Sequence, residues 1–521
     1  MTGPSPEALA WVQLEAARQE AREHQRRLMQ GLGKPIISFE SHGCRVVCIG
    51  NEVRWSKSWR TFPNFLFDYI KVKLTSEWGN AELAKPETER HPLLHWYYRV
   101  CMLQRAQPKG QDGVYSAEMT GAVRAYLGLA YDLYLCAHHA ELPELLLKRL
   151  RNPQTFEGAV YEARVIGSLA RAGFHIELED ETDSERSHCE LTATHKDTGR
   201  KFSVEAKAIT SMSTRAGSSA DPPRIRNQLY KALCKQADHE RMIFIELNRA
   251  GTGRPDEIPD WMQHIDVEME QAEKDLTIDG HPAPAAYVMV TNLSAVHSLD
   301  STVYADVGLA CGFKIPDFAE RTPAKSILEL VDAREKHLEL HWLRKALHRK
   351  QSVPNTFDDR LSEEPRDDSL PRLMIGSTYL IPLADGQEAP AVLVDAVVLE
   401  SERQAYGTYR CADGSHVRCV NALSDAEMAA YKRSPETFFG IIKDVSYEIN
   451  EPLDAFDFLW GSHSDTPKEK LLEFTYNWPE AVELRQFDQR RLAQVYCARF
   501  AETLWATHVR EKGAQPNPSP A

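Results

Sequence analysis

Two glutamates and a lysine, Glu190, Glu205 and Lys207, lie on the two arms of a predicted β-hairpin. The segment CELTATHKDTGRKFSVEAKAI (189–209) alternates apolar with polar residues on both sides of a Lys-Asp-Thr-Gly turn, which is typical of two antiparallel strands. Three ionisable side chains on one face of a half-buried strand pair are unusual, so they are the first candidates for chemistry.

Either of two turn registers brings these side chains together. A two-residue turn at 197–198 places Glu190 opposite Glu205, and a turn at 198–199 places Glu190 opposite Lys207. Residues two apart on a strand share a face, so both registers predict one cluster. The two glutamates repel each other at cross-strand distance unless a cation lies between them.

A divalent metal ion is the cation that this arrangement favours. Mg²⁺ prefers oxygen ligands and commonly uses one or two protein carboxylates, together with water and substrate phosphate. We therefore expect Glu190 and Glu205 to bind Mg²⁺, with Mn²⁺ able to replace it. A metal held there can polarise a phosphodiester and ionise water, while Lys207 positions that water and offsets the developing negative charge.

The surrounding sequence predicts the elements that must hold the hairpin in place. Apolar residues at helical spacing and Gly173 predict a helix over 156–172, followed by a strand over 174–179. The hairpin strands cover 189–195 and 201–208. A helix over 224–239 and a strand over 241–248 come after a small-residue loop.

This order, with an acidic residue on one hairpin strand and Glu-x-Lys on the other, resembles the PD-(D/E)xK superfamily of restriction-endonuclease-like nucleases. The resemblance covers about 155–250 and implies an αβββαβ core. Glu190 matches the first acidic residue of the family motif, where Asp is usual, and Glu205 and Lys207 match its second half.

The resemblance also implies two supporting residues outside the hairpin. Glu162 matches the glutamate that many members carry on the first helix, and Glu157 is the second choice for that position. Gln228 matches a polar residue of the second helix, which would orient Lys207 or a phosphate.

Two functions stay open from the sequence. The first is an active, metal-dependent nuclease that hydrolyses phosphodiester bonds, in DNA rather than RNA by the resemblance, with a role in defence or repair. The alternative is a catalytically inactive nuclease-like fold that binds nucleic acid or protein as an assembly module. Residues 196–249 contain eleven lysines and arginines but only six acidic residues, whereas the whole chain has a net charge of −14. This local excess of positive charge favours a phosphate-binding surface.

The length of 521 residues predicts several domains within a mixed α/β (α+β) protein. Proline-rich, polar sequence at 349–372 indicates a linker. The predicted segments are an N-terminal helix (1–33), a mostly helical domain (34–150), the nuclease-like domain (151–348), the linker, a small β-rich domain (373–424) and a C-terminal helical region (425–521). Within the second segment, 36–54 predicts two short strands.

Composition narrows the cellular context. Ten scattered cysteines without a Cys-x-x-Cys motif are typical of reduced thiols, and no signal peptide or membrane-spanning run is evident. We therefore expect a cytoplasmic protein without a membrane partner, which could form a homo-oligomer or bind another protein through its terminal helices. No phosphate-binding Gly-x-x-x-x-Gly-Lys loop is present.

Two further groups of residues could hold a metal, although packing roles are the stronger interpretation for both. His337 and His341 lie four apart on a predicted helix. Cys411, His416 and Cys419 form a fragment of a zinc-binding pattern without a fourth ligand.

Overall fold

The computed structural model describes most of the chain. Its described residues are 23, 26, 27, 29–107, 118–179, 189–210, 224–251, 259–315, 318, 326–348, 353–357, 373–383, 388–433, 438, 439, 449 and 451–514. Contacts divide the chain into two compact units, Met1–Phe313 with Leu343–Lys443 and Lys314–Trp342 with Asp444–Ala521. The described residues contain both helices and several sheets, so the predicted mixed α/β (α+β) class is confirmed. The six predicted segments remain a prediction, and most of 1–33 and 349–372 lies outside the described residues.

The first sheet has one strand more than the sequence predicts. It is antiparallel and contains β1 (Ile37–Ser41), β2 (Cys44–Ile49) and β3 (Glu52–Ser56). The prediction of two strands over 36–54 is wrong because the chain reverses direction at two separate turns, each of two residues. His42 and Gly43 both have positive φ in the first turn, as tight hairpin turns require.

Helices fill the rest of this N-terminal region. They are α1 (Phe62–Lys73), α2 (Ser76–Leu83), α3 (Pro92–Ala106), α4 (Gly121–His139) and α5 (Glu144–Arg151). Thr61 and Asn64 form a capping box at the start of α1. The first two backbone N–H groups of α4 donate to the carbonyls of Ser301 and Leu299, each at 2.9 Å, so a distant loop caps this buried helix.

The central part of the chain forms a sheet of six strands, a separate short sheet of two strands, and the helices between them. In chain order these elements are α6 (Phe156–Arg171), β4 (Phe174–Leu178), β5 (Leu191–His195), β6 (Lys201–Ala208), α7 (Arg226–Leu233), β7 (Glu240–Glu246), α8 (Trp261–Asp275), the short β8 (Thr277–Ile278) and β9 (His281–Pro282), β10 (Ala286–Leu293) and β11 (Asp306–Phe313). Helix α7 is shorter than the predicted 224–239, because residue 236 instead accepts a hydrogen bond from the backbone of Cys189.

The strand order across this sheet is β11-β10-β7-β6-β5-β4. Strands β6, β7 and β10 run parallel, and the outer pairs are antiparallel. Helices α7 and α8 cover one face, where Leu229 and Met269 pack with Ile243, Ile245 and Val288. Helix α6 packs on the other face, where the Tyr161 hydroxyl lies 2.8 Å from Thr291 Oγ1. Strand β6, which carries two of the candidate residues, is therefore enclosed by helices on both sides.

Two helices, α9 (Ile327–Lys336) and α10 (Leu338–His348), precede a second small sheet. That sheet is an antiparallel meander of β12 (Thr378–Pro382), β13 (Glu388–Leu399), β14 (Gln404–Cys411) and β15 (His416–Ala422), followed by α11 (Asp425–Arg433). The predicted turn around Asp413-Gly414 joins β14 to β15. The predicted turn at Asp385-Gly386 lies outside the described residues.

The second compact unit is helical in its described part. It includes α9 together with α12 (Pro452–His463), α13 (Lys468–Phe474), α14 (Ala481–Leu484) and α15 (Gln489–Ala514). Ile327, Phe456 and Cys497 are among its core residues. Across both units, the described helices include none with the length and apolar character needed to cross a membrane.

Candidate functional site

The hairpin adopts the first of the two expected registers. Leu191 pairs with Val204 and Thr194 with Lys201, which corresponds to a turn centred on 197–198. Glu190 precedes the first paired residue of β5, and its backbone N–H donates to the carbonyl of Val204, the partner of Leu191, at 3.0 Å. The paired ladder therefore ends one residue before Glu190, which lies beside the β6 segment that contains Glu205.

Glu205 is almost completely buried and has one carboxylate oxygen without a hydrogen-bond partner. Its side chain is 1% exposed, and Oε1 accepts a short contact from the ammonium group of Lys207. No described residue donates to Oε2. A buried carboxylate oxygen without a donor is costly, and it is the kind of atom that a metal ion satisfies.

Lys207 lies at the edge of the same cluster. Its side chain is 23% exposed. Burial lowers the pKa of Lys207, but the carboxylates of Glu205 and Glu190 outweigh burial and raise it above its usual range. The ammonium group is therefore charged at neutral pH and is held towards the two glutamates.

Glu190 is partly buried and uses one oxygen to bind the neighbouring strand. Its Oε2 accepts the backbone N–H of Ala206 at 3.0 Å. Burial raises the pKa of Glu190 well above its usual range, and the negative charges of Glu162 and Glu205 raise it further, while Lys207 and the Ala206 N–H act in the opposite direction. The protonation of Glu190 therefore depends on the charges of both Glu162 and Glu205.

Glu162 projects from α6 and is held by an arginine that the sequence did not indicate. The side chain is 5% exposed. Nη2 of Arg149 lies 2.9 Å from Oε1 and 2.8 Å from Oε2 of Glu162. Arg149 belongs to α5, 13 positions earlier. The ion pair joins α5 to the buried carboxylate of Glu162 on α6.

The other two residues indicated by the resemblance make weaker connections. Gln228 lies on α7, which packs against β6. Helix α7 covers the sheet face to which Glu205, Lys207 and Ile243 belong. Gln228 forms no hydrogen bond with Glu205 or Lys207 among the described residues. Glu157 lies in the first turn of α6 and is partly exposed.

The residues present fit a cation bound by two carboxylates better than a preformed metal cage. Among the described residues, no group of three or more His, Cys, Asp and Glu side chains is arranged to hold a metal ion. One carboxylate oxygen of Glu190 and one of Glu205 take no part in the contacts described above. Two carboxylates are a sufficient protein contribution for Mg²⁺, which retains several waters.

The weaker metal candidates differ from their predicted arrangement. His337 lies between α9 and α10, and its carbonyl accepts the backbone N–H of His341 at 3.2 Å, so the two histidines are one turn apart at the start of α10 and not within one continuous helix. In the small sheet, His416 pairs with Arg410 and Cys419 with Gly407. Because side chains alternate along β15, His416 and Cys419 point to opposite faces, and no zinc site forms from them.

Comparisons with known proteins give no relative. No protein-family model, no curated protein and no solved structure matches this chain.

Proposed function

We propose that this chain is a divalent-metal-dependent nuclease of the PD-(D/E)xK kind, which hydrolyses phosphodiester bonds in DNA. One observation carries the proposal: the buried Glu205 contacts Lys207 two residues further along β6, and the carboxylate of Glu190 accepts the backbone N–H of Ala206 between them. The order α6-β4-β5-β6-α7-β7 around that hairpin is the αβββαβ order of the resemblance.

Glu190 and Glu205 are the residues that would hold Mg²⁺ or Mn²⁺. When bound, such an ion supplies Lewis-acid activation of the phosphodiester and a more acidic water. Lys207 keeps a positive charge next to the phosphate and holds a proton at Nζ that can be donated to an oxygen of the reacting group. The buried position of Glu205 limits competing water, which strengthens these electrostatic interactions.

Charged residues near the hairpin support a nucleic-acid substrate. Lys201 at the start of β6, Arg224 before α7 and Lys231 on α7 are solvent-exposed. They give the edges of this part of the sheet a positive charge in a chain of net charge −14. A positive border around a carboxylate site attracts a phosphate backbone, and this attraction weakens as salt is added.

One observation favours the second candidate, an inactive nuclease-like binding module. The ammonium group of Lys207 contacts Glu205 directly, so it can replace a metal ion as the charge partner of that carboxylate. In this case the cluster would be a structural ion pair, and divalent metals would neither bind to the site nor support cleavage.

Cleavage assays with the full chain test the proposal. Linear DNA, circular DNA and RNA are incubated with wild-type protein in MgCl₂, MnCl₂ or EDTA, beside the variants Glu205→Gln and Lys207→Met. We expect metal-dependent cleavage of DNA that both variants lose. Glu177→Gln, at an exposed side chain of the edge strand β4 of the same sheet, is the matched control and should cleave as the wild type does.

Metal titration separates the two candidates. Ligand binding to the folded state raises the unfolding temperature with occupancy, so MnCl₂ should stabilise the wild type and Glu177→Gln but not Glu205→Gln. Identical behaviour of wild type and Glu205→Gln in both assays would reject the nuclease in favour of the binding module.

A further inference from the structure

One face of the first sheet is apolar and open to solvent. Because side chains alternate along each strand, the cross-strand pairs place two rows of residues on this outer face, Phe39–Val46–Trp55 and Ile37–Cys48–Val53. Trp55 is 67% exposed and Phe39 is 52% exposed, and both lie in the same row. A contiguous apolar surface of this kind is typical of a binding site.

The opposite face of the same sheet carries the charged residues. Val47 is buried on that face, and Arg54 lies over the ring of Tyr69 on α1 at 5.9 Å. The charged residues of the strands form ion pairs there, namely Arg45–Glu40, Arg54–Glu52 and Lys73–Glu52. An ordinary half-buried sheet has the reverse arrangement, with its polar side chains towards water. Packing within the first sheet therefore does not account for the apolar outer face.

The size of the outer face indicates a narrow occupant rather than a second copy of the chain. Its strands contain five, six and five residues. With about 3.4 Å per residue and about 4.8 Å between strands, the face covers about 240 Å². A stable interface between two proteins buries about 800 Å² on each partner. The outer face alone is therefore too small to hold a dimer together.

Positive charge lies at both ends of the sheet segment. Residues 34–60 contain five lysines and arginines and two glutamates in a chain of net charge −14, and both glutamates belong to the ion pairs on the opposite face. Lys34 before β1, and Lys57 and Arg60 after β3, are exposed. These residues can attract a phosphate backbone towards an uncharged face that carries aromatic rings.

We propose that the outer face of the first sheet is a stacking platform for the unpaired bases of single-stranded DNA. Bases stack on the rings of Phe39 and Trp55, and the basic residues at the ends of the segment contact the phosphates. A duplex suits this face less well, because its bases already cover one another. The choice of DNA over RNA rests on the proposed nuclease function, whereas the binding itself needs neither the metal nor the carboxylates.

Fluorescence anisotropy of the full chain in EDTA tests the platform, with a labelled oligothymidine of about 16 nucleotides. We expect binding that weakens as salt is added, and weaker binding of a duplex of the same length. Trp55→Ala should lower the affinity for oligothymidine about 5- to 150-fold, and Trp55→Phe should lower it less. Phe39→Ala, on the other edge strand, should also weaken binding and provides a second variant if Trp55→Ala does not fold. Tyr476→Ala, at an exposed aromatic residue of the second compact unit, is the matched control and should bind as the wild type does.

Three results would overturn the platform. These are equal affinities of wild type, Trp55→Ala and Phe39→Ala for oligothymidine, tighter binding of the duplex or of oligouridine, and self-association of the wild type in sedimentation that Trp55→Ala abolishes. The last result would show that the outer face joins two copies of the chain.

The nuclease and the platform can fail separately. Binding of oligothymidine that depends on Trp55, in a wild type that cleaves no DNA with MgCl₂ or MnCl₂, would support the platform and reject the nuclease. Metal-dependent cleavage that Glu205→Gln loses, together with unchanged DNA binding in Trp55→Ala, would reject the platform alone.

Discussion

A buried glutamate at the end of β7, Glu246, should make the protein less stable as the pH rises through neutrality. It is 6% exposed. Its Oε2 accepts the Thr291 hydroxyl at 2.6 Å, and Oε1 accepts the backbone N–H groups of Asn248 and Leu293, each at 2.9 Å. Burial raises the pKa of Glu246 to about 7, despite these hydrogen bonds, from its ordinary value of 4.5.

The size of the effect follows from the two pKa values. Between pH 4.5 and 7 the folded protein binds one proton more than the unfolded chain, so the free energy of unfolding falls as the pH rises. The difference between the two pKa values lowers the free energy of unfolding by about 3.4 kcal/mol in total. About 2.5 kcal/mol of this decrease occurs between pH 5 and pH 8. The loss is complete only above the folded-state pKa.

Glu246→Gln should remove this dependence while keeping an acceptor for the two backbone donors. Urea unfolding followed by tryptophan fluorescence at pH 5 and 8 gives the change for wild type and variant. The wild type should lose about 2.5 kcal/mol more than the variant over this range. Glu270→Gln, on the exposed side of α8, is the matched control and should follow the wild type. Equal losses in wild type and Glu246→Gln would refute the reasoning.

Four other substitutions test the packing and capping of the helices by thermal or urea unfolding. Gly167→Ala places a methyl group 2.4 Å from Oδ1 of Asp132 and should lower the free energy of unfolding by about 1–3 kcal/mol. Gly158→Ala in the same helix meets open space and should raise the free energy of unfolding by up to about 1 kcal/mol. Similar effects of the two substitutions would contradict this reasoning. Burial lowers the pKa of His91 to about 4, so the wild type should lose about 3 kcal/mol as the pH falls from 6.5 to 4, and His91→Asn should lose less. Thr61→Ala removes the acceptor at the start of α1 and should cost about 1 kcal/mol; no change would show that the cap contributes nothing.

The hairpin was predictable because strand parity depends only on sequence spacing. Any two-residue turn between 197 and 199 brings Glu190, Glu205 and Lys207 together, and the observed pairing of Leu191 with Val204 selects one of the two registers. The choice between registers was not predictable, since turn residues of similar propensity occupy both positions.

Tertiary contacts explain what the sequence could not predict. Arg149 is one of several basic residues on α5, and its pairing with Glu162 depends on how α5 packs against α6. Helix α7 ends early because the backbone at residue 236 contacts Cys189, a contact that no local pattern contains. The extra strand β3 follows the two-residue turn Gly50-Asn51, in which Gly50 has positive φ. Gly-Asn between two strand-like runs is a hairpin signal, so this strand was predictable from the sequence.

The capping of α4 by the loop after β10 has a consequence for the order of folding. Arg124 of α4 also pairs with Asp306, 182 positions later in the chain. During synthesis, α4 emerges from the ribosome long before Leu299, Ser301 and Asp306. The carbonyl and carboxylate partners that the first backbone donors of α4 and Arg124 have in the folded protein are therefore made only after the parallel strands β6, β7 and β10. Such non-local contacts slow folding and expose apolar surface meanwhile, so a nascent chain ending before residue 299 should depend on chaperones, and one extending past 313 should not.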